Sequence, residues 1–147
     1  MKLSTKARYA TRIMLRLASA GAQRSQRNMD IARLERISPD YVAQILMTLK
    51  HAGLVTSQRG AQGGFTISRD PAAITVTDVL EAVEGPLCLV PPTKKKEVAE
   101  QASVRVTRTL WTRGSEALRD LFADISLKDL AQEVDALDRA TPIVFEI

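Results

Sequence analysis

Up to residue 53, apolar side chains recur at helical spacing in three successive runs. Ser4 is a candidate N-cap, and behind it Ala10, Ile13, Met14, Leu17 and Ala18 form one face that Gly21 ends. A polar linker, Gln23 to Arg27, leads to a short second helix from about Asn28 to Arg36, with Met29, Ile31, Ala32 and Leu34 as its apolar positions. Ser38 then caps a third helix, with Pro39 at the first helical position and Asp40 at the positive end of the dipole. Its buried stripe is Val42, Ile45, Leu46 and Leu49, and Ala52-Gly53 ends it.

The period then changes. Two β-prone runs, Leu54 to Ser57 and Phe65 to Ser68, flank a turn containing Arg59, Gly60, Gly63 and Gly64. Glycine permits a sharp reversal, so the segment predicts a β-hairpin with a flexible basic tip. A helix followed by a glycine-rich basic hairpin is the winged form of helix-turn-helix, which reads duplex DNA.

Beyond Asp70-Pro71 the helical period returns. Ile74, Val76, Val79, Leu80 and Val83 predict an extended entry and a short helix from about Thr77 to Glu84, closed by Gly85-Pro86. An irregular and mobile loop, Leu87 to Lys96, holds Cys88, Pro91-Pro92 and three lysines. A long helix from Glu97 or Gln101 to Phe122 carries Leu110, Trp111, Leu118, Leu121 and Phe122, and Ser126 with Asp129 forms a capping box for a last helix through Leu137. So long an apolar stripe exceeds what a compact winged module needs and points to a second copy as its partner. Gly114 allows close backbone approach there, or is simply a kink. The predicted fold is mainly α with a small β-hairpin wing. It divides into a winged helix-turn-helix domain (1–86), a sensor-type loop (87–96), and a dimerisation helix with C-terminal helix and tail (97–147).

Charge sharpens this picture. Residues 1–70 hold 12 Lys/Arg against 4 Asp/Glu, and residues 71–147 hold 9 against 13, so +8 and −4 make the net +4. A basic first half fits a nucleic-acid module joined to something else. Arg8, Arg12 and Arg16 form a ridge on the first helix. On an isolated helix that is a solvated face, but beside a DNA-reading helix Lys6 and Arg8 become candidates for phosphate contacts.

On the third helix, Ser38, Tyr41, Ala43, Gln44, Thr48 and Lys50 lie at or beside the outward face. Ser38 and Tyr41 can donate to phosphate or base edges, and Gln44 can pair bidentately with adenine. The competing roles are half-buried packing for Tyr41 and a solvated amide for Gln44. Thr48 shares that face, and Lys50 suits backbone more than base. Arg59, next to Gly60, is the minor-groove candidate, because a narrow groove attracts guanidinium.

Other functions find little support. No apolar run of about 18 residues exists to span a membrane, and the amphipathic N-terminus lacks a signal-peptide region, so a cytoplasmic protein is expected. One histidine, His51, and one cysteine, Cys88, leave no catalytic set, disulfide framework or metal-ligand cluster. The Gly60–Gly64 turn sits in a hairpin and not between a strand and a helix, so it is not a nucleotide loop. The chain is not expected to be an enzyme.

Several segments together resemble the Rrf2 family of bacterial transcriptional regulators. They are Leu3-Ser4-Thr5-Lys6-Ala7-Arg8-Tyr9-Ala10, Ile37 to Leu46, Leu49-Lys50-His51-Ala52-Gly53-Leu54-Val55, Arg59 to Phe65, and Ile74 to Pro86. The resemblance covers at least residues 1–86 and, more weakly, 107–131. It implies a homodimer of two winged heads held by crossed long helices on a partly palindromic operator, most simply as a repressor by occlusion. Leu110, Trp111, Gly114, Leu118, Leu121 and Phe122 become the expected dimer interface.

The sequence departs from the family in four places. Better-known members hold an iron–sulfur cluster on three cysteines after the Glu-Gly-Pro-like segment, whereas here Cys88 stands alone and Pro91, Pro92, Lys94, Lys95 and Lys96 fill the stretch. Some relatives take ligands from the first helix, where this chain has Arg8 and Arg12. No cluster and no metal are therefore expected. Arg36 stands where relatives usually have glycine, and Ala43 where many carry glutamate, which relaxes selectivity for cytosine. Cys88 is either a thiol sensor or an ordinary semi-exposed cysteine. The input could be a small molecule between head and long helix, a thiol modification or a protein. The rival function is a dimeric winged-helix adaptor acting through a partner enzyme, which the acidic second half and the apolar tail Ile143 to Ile147 keep open.

Overall fold

Ser4 starts the first helix by accepting a hydrogen bond from the Ala7 amide at 3.0 Å. A computed structural model describes residues 2–21, 23–91 and 101–140 of the chain. Along these run α1 (Thr5–Ala20), α2 (Asn28–Glu35), α3 (Pro39–His51), β1 (Val55–Gln58), β2 (Gly64–Ile67), α4 (Val76–Glu84), α5 (Ala102–Ala123) and α6 (Leu127–Ala140). Lys94 to Glu97 and the tail Ile143 to Ile147 lie outside the described residues.

The core forms where the helical stripes converge. Ala10, Ile13, Met14 and Leu17 of α1 meet Val42, Ile45, Leu46 and Leu49 of α3, all essentially without exposure. Burying one large aliphatic side chain of this kind stabilises by about 1.5–3 kcal/mol, so the α1–α3 contact is a major part of the head's packing.

Each strand lies one residue from its expected run. The Leu54 amide still closes α3, donating to the Leu49 carbonyl at 3.0 Å, so pairing starts at Val55↔Ile67 and ends at Gln58↔Gly64. The polar linker is more than a connection. Gln26 and Phe65 exchange backbone hydrogen bonds of 2.9 and 2.8 Å, adding a third edge to the hairpin. The expected flexible tip is braced as well. Ser25 Oγ donates to the Gln62 carbonyl at 2.7 Å and Arg27 Nη2 to the Ala61 carbonyl at 2.7 Å. Glycine is required at the crossing, since a Cβ on Gly64 (φ +154°) would lie 2.6 Å from the Gln26 carbonyl oxygen.

The C-terminal helices join this core rather than trailing from it. The Leu127 amide donates to Ile74 O and the Val76 amide to Ile125 O, both at 2.9 Å, and the Leu127 side chain is fully buried in the head. Thr77 Oγ1 donates to the Arg119 carbonyl at 2.9 Å, and Arg119 pairs with Glu81 at 2.9 Å. Thr75 caps α4 reciprocally with Asp78, which starts that helix one residue before the expected Thr77. α6 runs three residues beyond the expected Leu137.

The capping box at Ser126 and Asp129 forms as expected, with bonds of 2.9 and 3.1 Å. The hydrogen bond from the Ser126 hydroxyl, then that from its backbone amide, holds the Asp129 carboxyl below its usual range. Whatever stability this carboxylate adds is present above the ordinary carboxylate pKa and is lost as pH falls through the lowered one.

Leu87 to Pro91, expected to be mobile, is tethered. The Leu89 amide donates to Ser115 Oγ at 2.9 Å, and Leu89 lies against Gly114.

Arg36 closes α2 in the left-handed region (φ 56°, ψ 46°), among the described residues the one non-glycine with positive φ. That conformation costs an L-residue about 1–2 kcal/mol, part of which glycine returns through the entropy of the unfolded chain. Arg36→Gly should therefore raise stability by about 0.5–1 kcal/mol, a Tm increase of roughly 2–4 °C in thermal melts.

Candidate nucleic-acid interface

With Val42, Ile45, Leu46 and Leu49 turned inward, α3 presents Gln44, Met47 and Lys50 to solvent and holds Ala43 and Thr48 half-buried. Its N-terminus is positioned twice. Ser38 Oγ accepts from the Tyr41 amide at 3.4 Å, and Tyr41 meets Tyr9 of α1 edge-on, 5.9 Å between centroids at 71°. Tyr41 thus takes the packing role and is half-buried. Ser38 uses its acceptor on the cap, which leaves the hydroxyl proton for a phosphate or base.

Three expected polar readers carry other engagements. Thr48 Oγ1 donates to the Gln44 carbonyl at 3.0 Å, folding its hydroxyl onto the helix. Lys50 Nζ reaches Ser57 Oγ of β1 at 2.6 Å, tying the recognition helix to the wing. Arg8 Nη2 bonds Thr5 Oγ1 at 3.2 Å, which leaves the guanidinium at the surface. Lys6 is half-buried, and two residues apart on a helix it points about 160° away from Arg8. A single row of phosphates along α1 cannot take both.

The rest of the basic ridge is tied to one carboxylate, which offsets one of its two charges. Glu35, nearly buried, pairs with Arg16 and with Arg12, the latter at 2.9 Å. Arg12 also lies 5.4 Å over the Tyr9 ring. These bonds splice α1 to the end of α2 and fix the turn that precedes α3. The signal for them was the lone Glu35 among arginines, whose partners the sequence could not name.

Arg59 is exposed at the wing tip, and among the described residues its side chain has no hydrogen-bond or ion-pair partner. Gly60 follows with φ 107°. Because Ser25 and Arg27 hold the tip, the guanidinium extends from a fixed base. Met47 is a surface residue of α3 that periodicity did not single out, although it lies one turn beyond Ala43; it is 46% exposed.

The single long stripe expected on α5 divides in two. Phe122 packs against the buried Ala7, Val76 and Leu80 of its own chain, as do Leu3, Val83, Leu87, Ile125 and Leu130, and Leu118 is half-buried on the same side. The close approach at Gly114 is made by Leu89, since a Cβ there would lie 2.7 Å from its Cδ1. Val106, Leu110 and Leu121 instead face outward at 69%, 56% and 57% exposure. Trp111, also exposed, borders a groove of about 810 Å³ between α5 and Pro86–Pro91, with Leu87, Cys88, Val90 and Val104 on its walls.

The family model described as "Rrf2: Iron-dependent Transcriptional regulator" matches residues 3–133. The chain belongs to the Rrf2 family. It is 35% identical to the HTH-type transcriptional regulator CymR of Bacillus subtilis over 140 residues, 95% of this chain and 96% of that protein. The solved structure of B. subtilis CymR, described as the global cysteine regulator, superposes with a TM-score of 0.76 at 34% identity, covering 90% of this chain and 98% of that one. The T. potens IscR structure matches with a TM-score of 0.77 at 28% identity, covering 99% and 96%. This Rrf2 protein is a DNA-binding transcriptional regulator and not an enzyme. Among the described residues no helix is long and apolar enough to cross a membrane.

The iron in that family description can be tested against the donors present. Cys88 is the chain's one thiol and is exposed beside Leu87 and Leu89. On α1, Arg8 and Arg12 are cations, and Arg12 is bound to Glu35. One thiolate flanked by aliphatic residues, without a second cysteine anywhere in the sequence, does not fit a cluster held by three or four ligands.

Arg59→Ala should weaken operator binding about tenfold while leaving oligomeric state and Tm unchanged. Fluorescence anisotropy on a duplex, with sedimentation on the same sample, checks both.

Proposed function

We propose that this Rrf2 regulator is a homodimeric repressor that occludes a partly palindromic operator and works without an iron–sulfur cluster. The observation that carries the dimer is the outward row of Val106, Leu110 and Leu121, three large apolar side chains more than half exposed on one helix. Such a row calls for a partner surface, and a two-fold copy of the same helix supplies a self-complementary one. α5 is also hydrogen-bonded to α4 through Thr77 and Glu81, so a dimer made there sets the spacing of the two heads.

Each head offers α3 to a major groove and Arg59 to the neighbouring minor groove. Arg8 and the Ser38 hydroxyl supply backbone contacts, and Lys50 joins α3 to the wing. The groove beside Cys88 borders both Trp111 and Arg119, so a small effector seated there would act on the contact between α5 and α4.

The test is sedimentation together with salt-dependent binding to the chain's own promoter. We expect a dimer, and a log–log salt slope steeper than about −4, as five or more phosphate contacts give. Leu110→Asp should yield a folded monomer with much weaker operator binding. A dimer that ignores DNA sequence but holds a protein partner would support the adaptor reading instead.

For the cofactor, protein purified anaerobically should carry no visible charge-transfer band and no stoichiometric iron or sulfide. Stoichiometric iron and sulfide would overturn the cluster-free reading.

A further inference from the structure

The outward face of α3 holds one large apolar side chain among polar ones. At about 100° per residue, Met47 projects between the directions of Ala43 and Gln44, one turn further along the helix. It stands 46% exposed, while the stripe behind it is fully buried. Its polar neighbours are occupied: Thr48 bonds the Gln44 carbonyl and Lys50 bonds Ser57. Away from the Ser38 hydroxyl at the helix start, the exposed Gln44 amide is the hydrogen-bonding group nearest the centre of the face, with the Met47 thioether and the Ala43 methyl forming an apolar strip beside it.

In the major groove, the apolar feature that a base pair presents is the C5-methyl group of thymine. A flexible, polarisable thioether adapts to such a methyl without demanding a hydrogen-bond direction. We propose that Met47, backed by Ala43, is a specificity-determining residue that packs on a thymine C5-methyl in each operator half-site, beside the adenine paired by Gln44. The proposal rests on the reading of α3 as the major-groove helix. It assigns the helix a preference for an A/T-containing step that the amide alone does not define.

The test uses a duplex operator selected by the wild-type protein from random-sequence DNA. Each half-site thymine is replaced in turn by deoxyuridine, which removes only the methyl. Losing one buried methyl per half-site corresponds to about a fourfold weaker affinity, and to about fifteenfold when both half-sites are changed. Wild type should show this loss at one thymine per half-site. Met47→Ser should bind the thymine and uracil duplexes equally, and Met47→Leu should restore the difference. Met47 lies outside the core, so circular dichroism melts of both variants should match wild type.

The proposal is overturned if no uracil substitution weakens wild type beyond twofold, or if Met47→Ser keeps the full methyl sensitivity. Failure to select any operator is a different result. It overturns sequence reading by α3 as a whole, and Met47's role with it.

Discussion

The rotation of α3 about its own axis decides which side chains this helix presents to solvent. Four side chains fix it: Val42, Ile45, Leu46 and Leu49 show no exposure and lock against Ile13, Met14 and Leu17 of α1. A turn of α3 by even one residue position, about 100°, would drive Gln44 inward and Leu46 outward, or Met47 inward and Ile45 outward. Burial of the stripe and presentation of the reading face are therefore one energetic fact. Around it, Tyr9 on Tyr41 sets the N-terminal end, and Lys50 on Ser57 ties the C-terminal end to the wing.

The same frame reaches the long helix. Leu127 belongs to the head's core, and the backbone bonds between 74–76 and 125–127 close the turn between α5 and α6 onto α4. Any displacement of α5 must be absorbed by the Thr77–Arg119 and Glu81–Arg119 bonds or passed on to the head. The groove beside Cys88 lies along this path. In a family described as iron-dependent, this chain joins α5 to the head by these bonds and has a single thiol in its sequence.

Much of this was legible in the sequence because it depends on short-range rules. Ser4, Ser38 and Ser126 cap helices, and the stripes of α1 and α3 fall where helical period puts them. What depended on contacts distant in sequence was not. Gln26 pairs with Phe65 across 39 positions, so the linker read as loop and the wing tip as flexible. Glu35 takes up Arg12 and Arg16, turning a supposed basic ridge into a splice. On α5, period alone merged two stripes. Only the packed loop at Leu89 and the cluster around Phe122 show that one stripe serves its own chain and the other faces outward. Met47 gave no signal, because an apolar residue off the core stripe is silent until its exposure is known.

The central claim is a two-headed protein that inserts one α3 per half-site and lays Arg59 in the adjoining minor groove. Hydroxyl-radical and methylation-interference footprinting on a selected operator tests it most directly. We predict two symmetric major-groove patches about one helical turn apart, ~34–36 Å, or a multiple of that spacing, each flanked by a minor-groove protection that disappears in Arg59→Ala. A single unpaired patch, or minor-groove protection indifferent to Arg59, would contradict it.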